Sequence, residues 1–276
     1  MSHAETMLPA LPPPPESVKR YTISRLIGRA LLGVWLAVSV GIFLFIVDSW
    51  SPEKFAKYGP SFLSGLRVTL TLVAISVILG SILSLPIAYG RMTKNKVLSW
   101  IAYCYVYFFR GTPLITQLFL VYYGLGSFRP YLEAVGLWSL FKDAWFCALF
   151  TFTLNTAAYQ AEILRGAIES VPRGQHEGAA ALGLPKGVAF FKIILPQAMI
   201  VALRPYGNEI ILMIKGSAIV AIVTVFDLMG ETRRAFSRTY DFQMYLWAAI
   251  LYLIMVEILR NLWAWIETRL TRHLKR

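Results

Sequence analysis

The chain has 276 residues, of which 57% are hydrophobic and only 15% charged. That balance excludes an ordinary soluble domain and a disordered chain, and it suits a polytopic protein whose solvent is the lipid membrane. A formal net charge of +12 would suggest nucleic acid in a soluble protein. Here most of it flanks apolar runs, so it reads as membrane topology and no nucleic-acid partner is expected.

In chain order, residues 1–24 are polar and proline-rich, with Pro12 to Pro15 consecutive. They predict a disordered cytoplasmic tail rather than a signal peptide. Residues 25–67 are expected to hold an extra N-terminal transmembrane helix and an external loop, residues 68–268 the main membrane domain, and residues 269–276 a basic cytoplasmic tail. About six spans are expected: Ala30–Val47, Val68–Gly90, Val97–Gly124, Ala144–Leu164, Ile193–Ile214 and Phe242–Trp265. Val68–Gly90 carries no charge and would extend roughly 34 Å as a helix, enough to cross the bilayer core. Helices are the expected spanning form because lipid offers no partners to backbone groups. The third span is interrupted at Arg110-Gly111-Thr112-Pro113, and the fifth at Arg204-Pro205 and Asn208-Glu209. Polar residues at such breaks line protein or water rather than lipid. Ser217 to Met229 continues the fifth span or forms a separate half-helix.

Lys19, Arg20, Arg25 and Arg29 precede the first span, Arg91, Lys94 and Lys96 follow the second, and Arg269, Arg272, Lys275 and Arg276 close the chain. Alternate loops are nearly neutral, so both termini and the loop around Glu177 are expected in the cytoplasm. One loop resists: Glu231 to Asp241 should be external yet holds Arg233, Arg234 and Arg238, which suggests a functional or re-entrant surface.

Cys104 and Cys147 lie in apolar spans and read as buried small side chains. His3, His176 and His273 are too scattered for a metal site. A phosphate-binding G-x-x-x-x-G-K-[ST] loop, a Ser/His/Asp set and a metal-ligand cluster are all missing from the sequence. The chain is therefore expected to be non-catalytic and to bind no cofactor.

The most informative segment is Ser170-Val171-Pro172-Arg173-Gly174-Gln175-His176-Glu177-Gly178-Ala179-Ala180-Ala181-Leu182-Gly183-Leu184-Pro185. Pro172 suits a first helical turn, the alanines favour helix, and Gly183 with Pro185 ends it. The frame Glu177, Ala179, Gly183, Ile193, Leu195, Pro196 resembles the EAA loop of ABC-importer permease subunits, with Gly178 departing from the usual alanine. The resemblance extends through Tyr107–Phe119, Ala157–Ile168 and Tyr206–Ala218, segments similar to the polar-amino-acid branch and closest in look to the M-type subunit of histidine/lysine/arginine/ornithine or opine importers. It implies an all-α polytopic fold with a five-helix permease core, one additional N-terminal helix and a cytoplasmic coupling helix in the loop 170–196. It also implies a bacterial inner-membrane location and import of polar, in particular basic, amino acids or opines. The implied partners are a dimer of ATPase subunits that carries ATP and Mg, a second related permease subunit in preference to a homodimer, and a periplasmic amino-acid-binding protein. Glu177, Gly178, Ala179, Ala180, Leu182, Gly183 and Pro196 would contact the ATPase.

Arg110, Thr112, Tyr159, Glu162, Asn208, Glu209, Lys215 and Ser217 are the candidate substrate-pathway residues. Many amino-acid permeases carry Asp and Thr where this chain has Gly216 and Ser217. For Glu209 and Lys215 the choice lies between a cavity that meets an amino acid and structural pairing with another helix or subunit. They cannot pair along one helix, being about 240° apart around its axis. Arg110 reads more readily as a snorkelling arginine or structural anchor at a helix break, and Asp227 allows no choice. An ion-coupled secondary transporter, using Glu162, Glu209, Asp227 and Glu257, is the alternative function. A membrane scaffold is a third reading, which leaves the breaks at Pro113 and Pro205 without a reason.

Overall fold

The computed structural model describes residues 22–48 and 51–272. The proline-rich tail up to residue 21 and the last four residues lie outside them. Among the described residues every regular element is a helix. The first, α1 (Ile23–Asp48), buries none of its side chains and forms a unit of its own.

The second unit begins at Pro52 with α2 (Pro52–Met92), 41 residues long. Residues 52–67, expected as an external loop, are its opening turns. The reason is a buried stripe that runs on at helical spacing through Tyr58, Phe62, Gly65, Thr69 and Leu72. The expected third span is divided. The helix α3 (Lys96–Gly111) stops at Thr112-Pro113, α4 (Leu114–Phe119) restarts, and a wide turn over Leu120–Gly124 follows. Two short helices, α5 (Arg129–Ala134) and α6 (Trp138–Phe141), lead to α7 (Ala144–Glu169).

The helix α7 is the centre of the unit. It packs along α2 and against α3, and α8 (Arg173–Ala181) follows it directly. Next come α9 (Lys186–Ala189), a wide turn over Phe190–Ile194, and α10 (Leu195–Gly216), which also packs on α7. The apolar stretch after Gly216 continues α10 as a tighter turn over Ser217–Val223 and stops at Thr224, whose φ is 63°. Two helices complete the chain, α11 (Leu228–Thr239) and α12 (Gln243–Leu270).

Among the described residues, four stretches are long and apolar enough to cross a membrane: Ile23–Asp48, Pro52–Met92, Lys186–Val223 and Gln243–Leu270. The helix α7 is 26 residues long but less apolar, because it is sheathed in protein. Its buried face holds Thr151, Asn155, Thr156 and Gln160. Small residues let α2 approach it: Ser76, Gly80, Ser84 and Ala88 recur every fourth position and are buried. A Cβ at Gly80 would lie 2.4 Å from Thr156 Cγ2.

Ion pairs establish which ends lie together. Arg91, at the end of α2, bonds Glu162 near the end of α7. Arg204 of α10 bonds Glu267 near the end of α12. These ends therefore share the face of the molecule that carries α8. At the opposite face Lys54, near the start of α2, pairs with Asp241 just before α12. The helix α11 lies on that opposite face with Arg233, Arg234 and Arg238 exposed, while Leu228, Glu231, Thr232 and Ala235 turn inward.

Candidate functional site: a coupling helix and a buried polar path

The helix α8 ends in a complete glycine stop. The N–H of Leu184 donates to the carbonyl of Ala179 at 3.1 Å, and the N–H of Gly183 donates to that of Ala180 at 2.9 Å. Gly183 adopts φ +66°, the left-handed conformation expected of it. Ala179 is the buried contact of this helix, whereas Glu177, Gly178 and Ala180 are exposed. Leu182 is 77% exposed, an apolar side chain held out at a polar face. Beneath α8 lies a cavity of about 480 Å³ between His176, Ala180, Leu184, Lys186, Phe190 and Ile194. Pro196 does not line it; this residue opens α10, where a missing N–H is tolerated. A second small core of Ala167, Val171, Ile194, Ala198 and Ala202 anchors the loop's two ends to α7 and α10.

A chain of polar side chains crosses the helices above it. Ser81 donates to Gln160 Oε1 at 2.6 Å, Gln160 Nε2 donates to Thr156 at 3.0 Å, and Thr156 donates to Glu209 Oε1 at 3.0 Å. This path links α2, α7 and α10. Glu209 is buried, whereas Asn208 and Lys215 are exposed. These three candidates are thus not brought to one point. Ser217 is buried, and its hydroxyl donates back to the Ile214 carbonyl at 2.7 Å.

The break between α3 and α4 is stitched by amide side chains. Gln117 Nε2 donates to Phe109 O, Thr112 O and Thr112 Oγ1, and Asn155 Nδ2 donates to Phe109 O and Gln117 Oε1. Carbonyls freed by the proline break are thereby satisfied inside protein. Thr112 and the break are thus joined to α7.

Glu162 is not an open carboxylate. Arg91 at 2.8 Å, Arg165 at 2.9 Å and Arg110 at 3.8 Å surround it. Arg110 also lies over the ring of Tyr159, 5.3 Å from its centroid. So Arg110, Tyr159 and Glu162 do meet, as a packed ionic node joining α2, α3 and α7. Asp227 is the N-cap of α11, accepting from the Gly230 N–H at 2.8 Å. Glu257 is bonded by Arg260 and Asn261.

Sequence reasoning missed Arg91, Gln117, Asn155, Thr156 and Gln160. The available signal was polar side chains recurring four or five residues apart in an otherwise apolar helix, which marks a protein-facing stripe.

A multi-helix membrane unit with a short capped helix displayed at one face defines the class of polytopic inner-membrane transport subunits. Residues 76–272 match the family described as the binding-protein-dependent transport system inner membrane component, and the chain belongs to it. It is 41% identical over 217 residues to the nopaline transport system permease protein NocM of Agrobacterium fabrum (strain C58), covering 78% of this chain and 90% of that one. It is 36% identical over 213 residues to the arginine ABC transporter permease protein ArtM of Escherichia coli (strain K12), covering 77% and 96%. A crystal structure of an amino acid ABC transporter with histidines aligns with a TM-score of 0.72 at 34% identity, covering 80% of this chain and 99% of that one.

Proposed function

We propose that this chain is the permease subunit of a bacterial importer that carries basic amino acids or opines into the cytoplasm, powered by ATP and Mg on partner subunits. The observation that carries the reading is Leu182, exposed at the tip of a rigidly capped helix. An apolar tip beside exposed Glu177 fits a cleft in a soluble partner better than it fits water. A periplasmic binding protein would deliver ligand at the face carrying α11, and closure of the ATPase dimer would push on α8. The wide turn over Phe190–Ile194 and the core around Ala198 would pass that movement to α7 and α10, alternating access. The α8 face, with the C-terminal end of the chain, is then cytoplasmic.

Nopaline and arginine share a guanidinium group. A buried carboxylate at Glu209 suits such a cation, since charge-assisted hydrogen bonds are the strong ones. The ion-coupled alternative is disfavoured because three of its four carboxylates have fixed partners: Glu162 its arginines, Asp227 a helix cap, Glu257 Arg260. Co-expression with the ATPase, a second permease subunit and the binding protein, followed by detergent purification, tests the reading. An ATPase should copurify and be stimulated by liganded binding protein. Vesicle uptake driven by an ion gradient without ATP would overturn it.

A further inference from the structure

On the face that carries α8, the turn between α2 and α3 forms a second cavity that the transport reading does not use. Its volume is about 360 Å³, and Arg91, Thr93, Lys94, Lys96, Ser99, Trp100 and Tyr103 line it. No acidic residue is in that lining. Arg91 is held there by Glu162 at 2.8 Å, and its guanidinium lies over the Tyr103 ring at 5.1 Å. Lys94 and Lys96 are exposed, and among the described residues neither has an ion-pair partner. The hydroxyls of Thr93 and Ser99 add donors.

The surroundings select the kind of anion. Val97, Trp100 and Ile101, at the start of α3, are 69%, 67% and 54% exposed. These apolar and aromatic side chains suit the acyl-chain boundary of a bilayer, and tryptophan favours the interface. Cations gathered above exposed apolar side chains at one end of a membrane helix match a phosphate headgroup with acyl chains beneath it. A soluble anion would use the cations and leave the apolar rim without a purpose.

We infer that the turn between α2 and α3 binds the phosphate headgroup of an anionic phospholipid, with Lys94 and Lys96 as the charged contacts and Trp100 against the acyl chains. Lipid held there would brace the Arg91–Glu162 node beside it.

The test is native mass spectrometry of the full-length protein in detergent, titrated separately with cardiolipin, phosphatidylcholine and inorganic phosphate. Cardiolipin should be retained well above phosphatidylcholine, and inorganic phosphate at equal concentration should not displace it. Lys94→Gln/Lys96→Gln should weaken cardiolipin binding by about 25-fold, since each lysine near an anionic surface contributes about 5-fold. Lys94→Arg/Lys96→Arg should retain it, and Arg233→Gln/Arg234→Gln, at the opposite face, should leave it unchanged. Equal retention by the glutamine variant, equal loss in the opposite-face variant, no preference over phosphatidylcholine, or displacement by inorganic phosphate would each overturn the inference.

Discussion

The hydroxyl of Thr156 donates to the buried carboxylate of Glu209 across 3.0 Å, tying α7 to α10 where Gln160 and Ser81 extend the same path to α2. The same helices share further bonds, from Gln160 Nε2 to the Val77 carbonyl at 3.2 Å and from the Tyr206 hydroxyl to the Gln160 carbonyl at 3.5 Å.

Glu209→Gln keeps the volume and still accepts from Thr156, but removes the charge. If the carboxylate meets the substrate cation, the complex should assemble normally. Arginine uptake should fall by about 10- to 100-fold, the range for a hydrogen bond to a charged group, and uptake of a neutral amino acid much less. Assembly is read by gel filtration and uptake in vesicles. Equal loss for both ligands with a destabilised complex would make Glu209 structural.

Gly183 separates backbone strain from docking. A Cβ there meets nothing within 4 Å in this chain, but φ is +66°. Gly183→Ala should therefore cost only about 1 kcal/mol of local stability and preserve most transport. Gly183→Arg carries the same backbone strain, so any additional loss must come from the partner's surface. We expect Gly183→Arg to abolish binding-protein-stimulated ATPase activity or copurification of the ATPase. Equal, near-normal activity in both variants would remove α8 from the coupling mechanism.

Glu162→Gln should damage the fold before the function. The side chain of Glu162 is 11% exposed, and its loss leaves Arg91 without its charge partner and Arg165 with Glu169 alone. Removing one member of a largely buried ion pair costs about 3 kcal/mol, read as a drop in unfolding temperature in detergent. An unchanged midpoint with selective loss of transport would instead return Glu162 to the substrate pathway.

Gly65 tests the contact between α2 and the start of α11. A Cβ at this position would lie 2.7 Å from the Asp227 carbonyl oxygen and 2.9 Å from Leu228 Cα. Backbone cannot turn aside as a side chain can, so Gly65→Ala should destabilise by about 1–3 kcal/mol. Gly59→Ala, with only Phe55 at 4.0 Å, is the matched control and should be near neutral. Similar unfolding midpoints in both variants would show that α11 yields easily.

The apolar runs, the break at Pro113 and the helix stop at Gly183 were legible in the sequence because each is local, whereas the interruptions expected at Arg204-Pro205 and Asn208-Glu209 do not occur: α10 runs as one helix through both. A proline removes its own donor, and a glycine allows its own φ, whatever lies around it. The short helix within the loop 170–196 was legible for the same reason, being a continuous segment. The reach of α2 back to Pro52 was not, because its opening turns hold charged residues and are stabilised by α11 and α12, far away in the chain. Nor could the chain order assign the charges. Glu162 and Glu209 are both carboxylates in apolar helices, yet one is neutralised by arginines from α2, α3 and α7, while the other receives a single hydroxyl from Thr156. Only packing decides which carboxylate is structurally paired and which is left to a single neutral donor, because a buried charge takes its role from whatever replaces water around it.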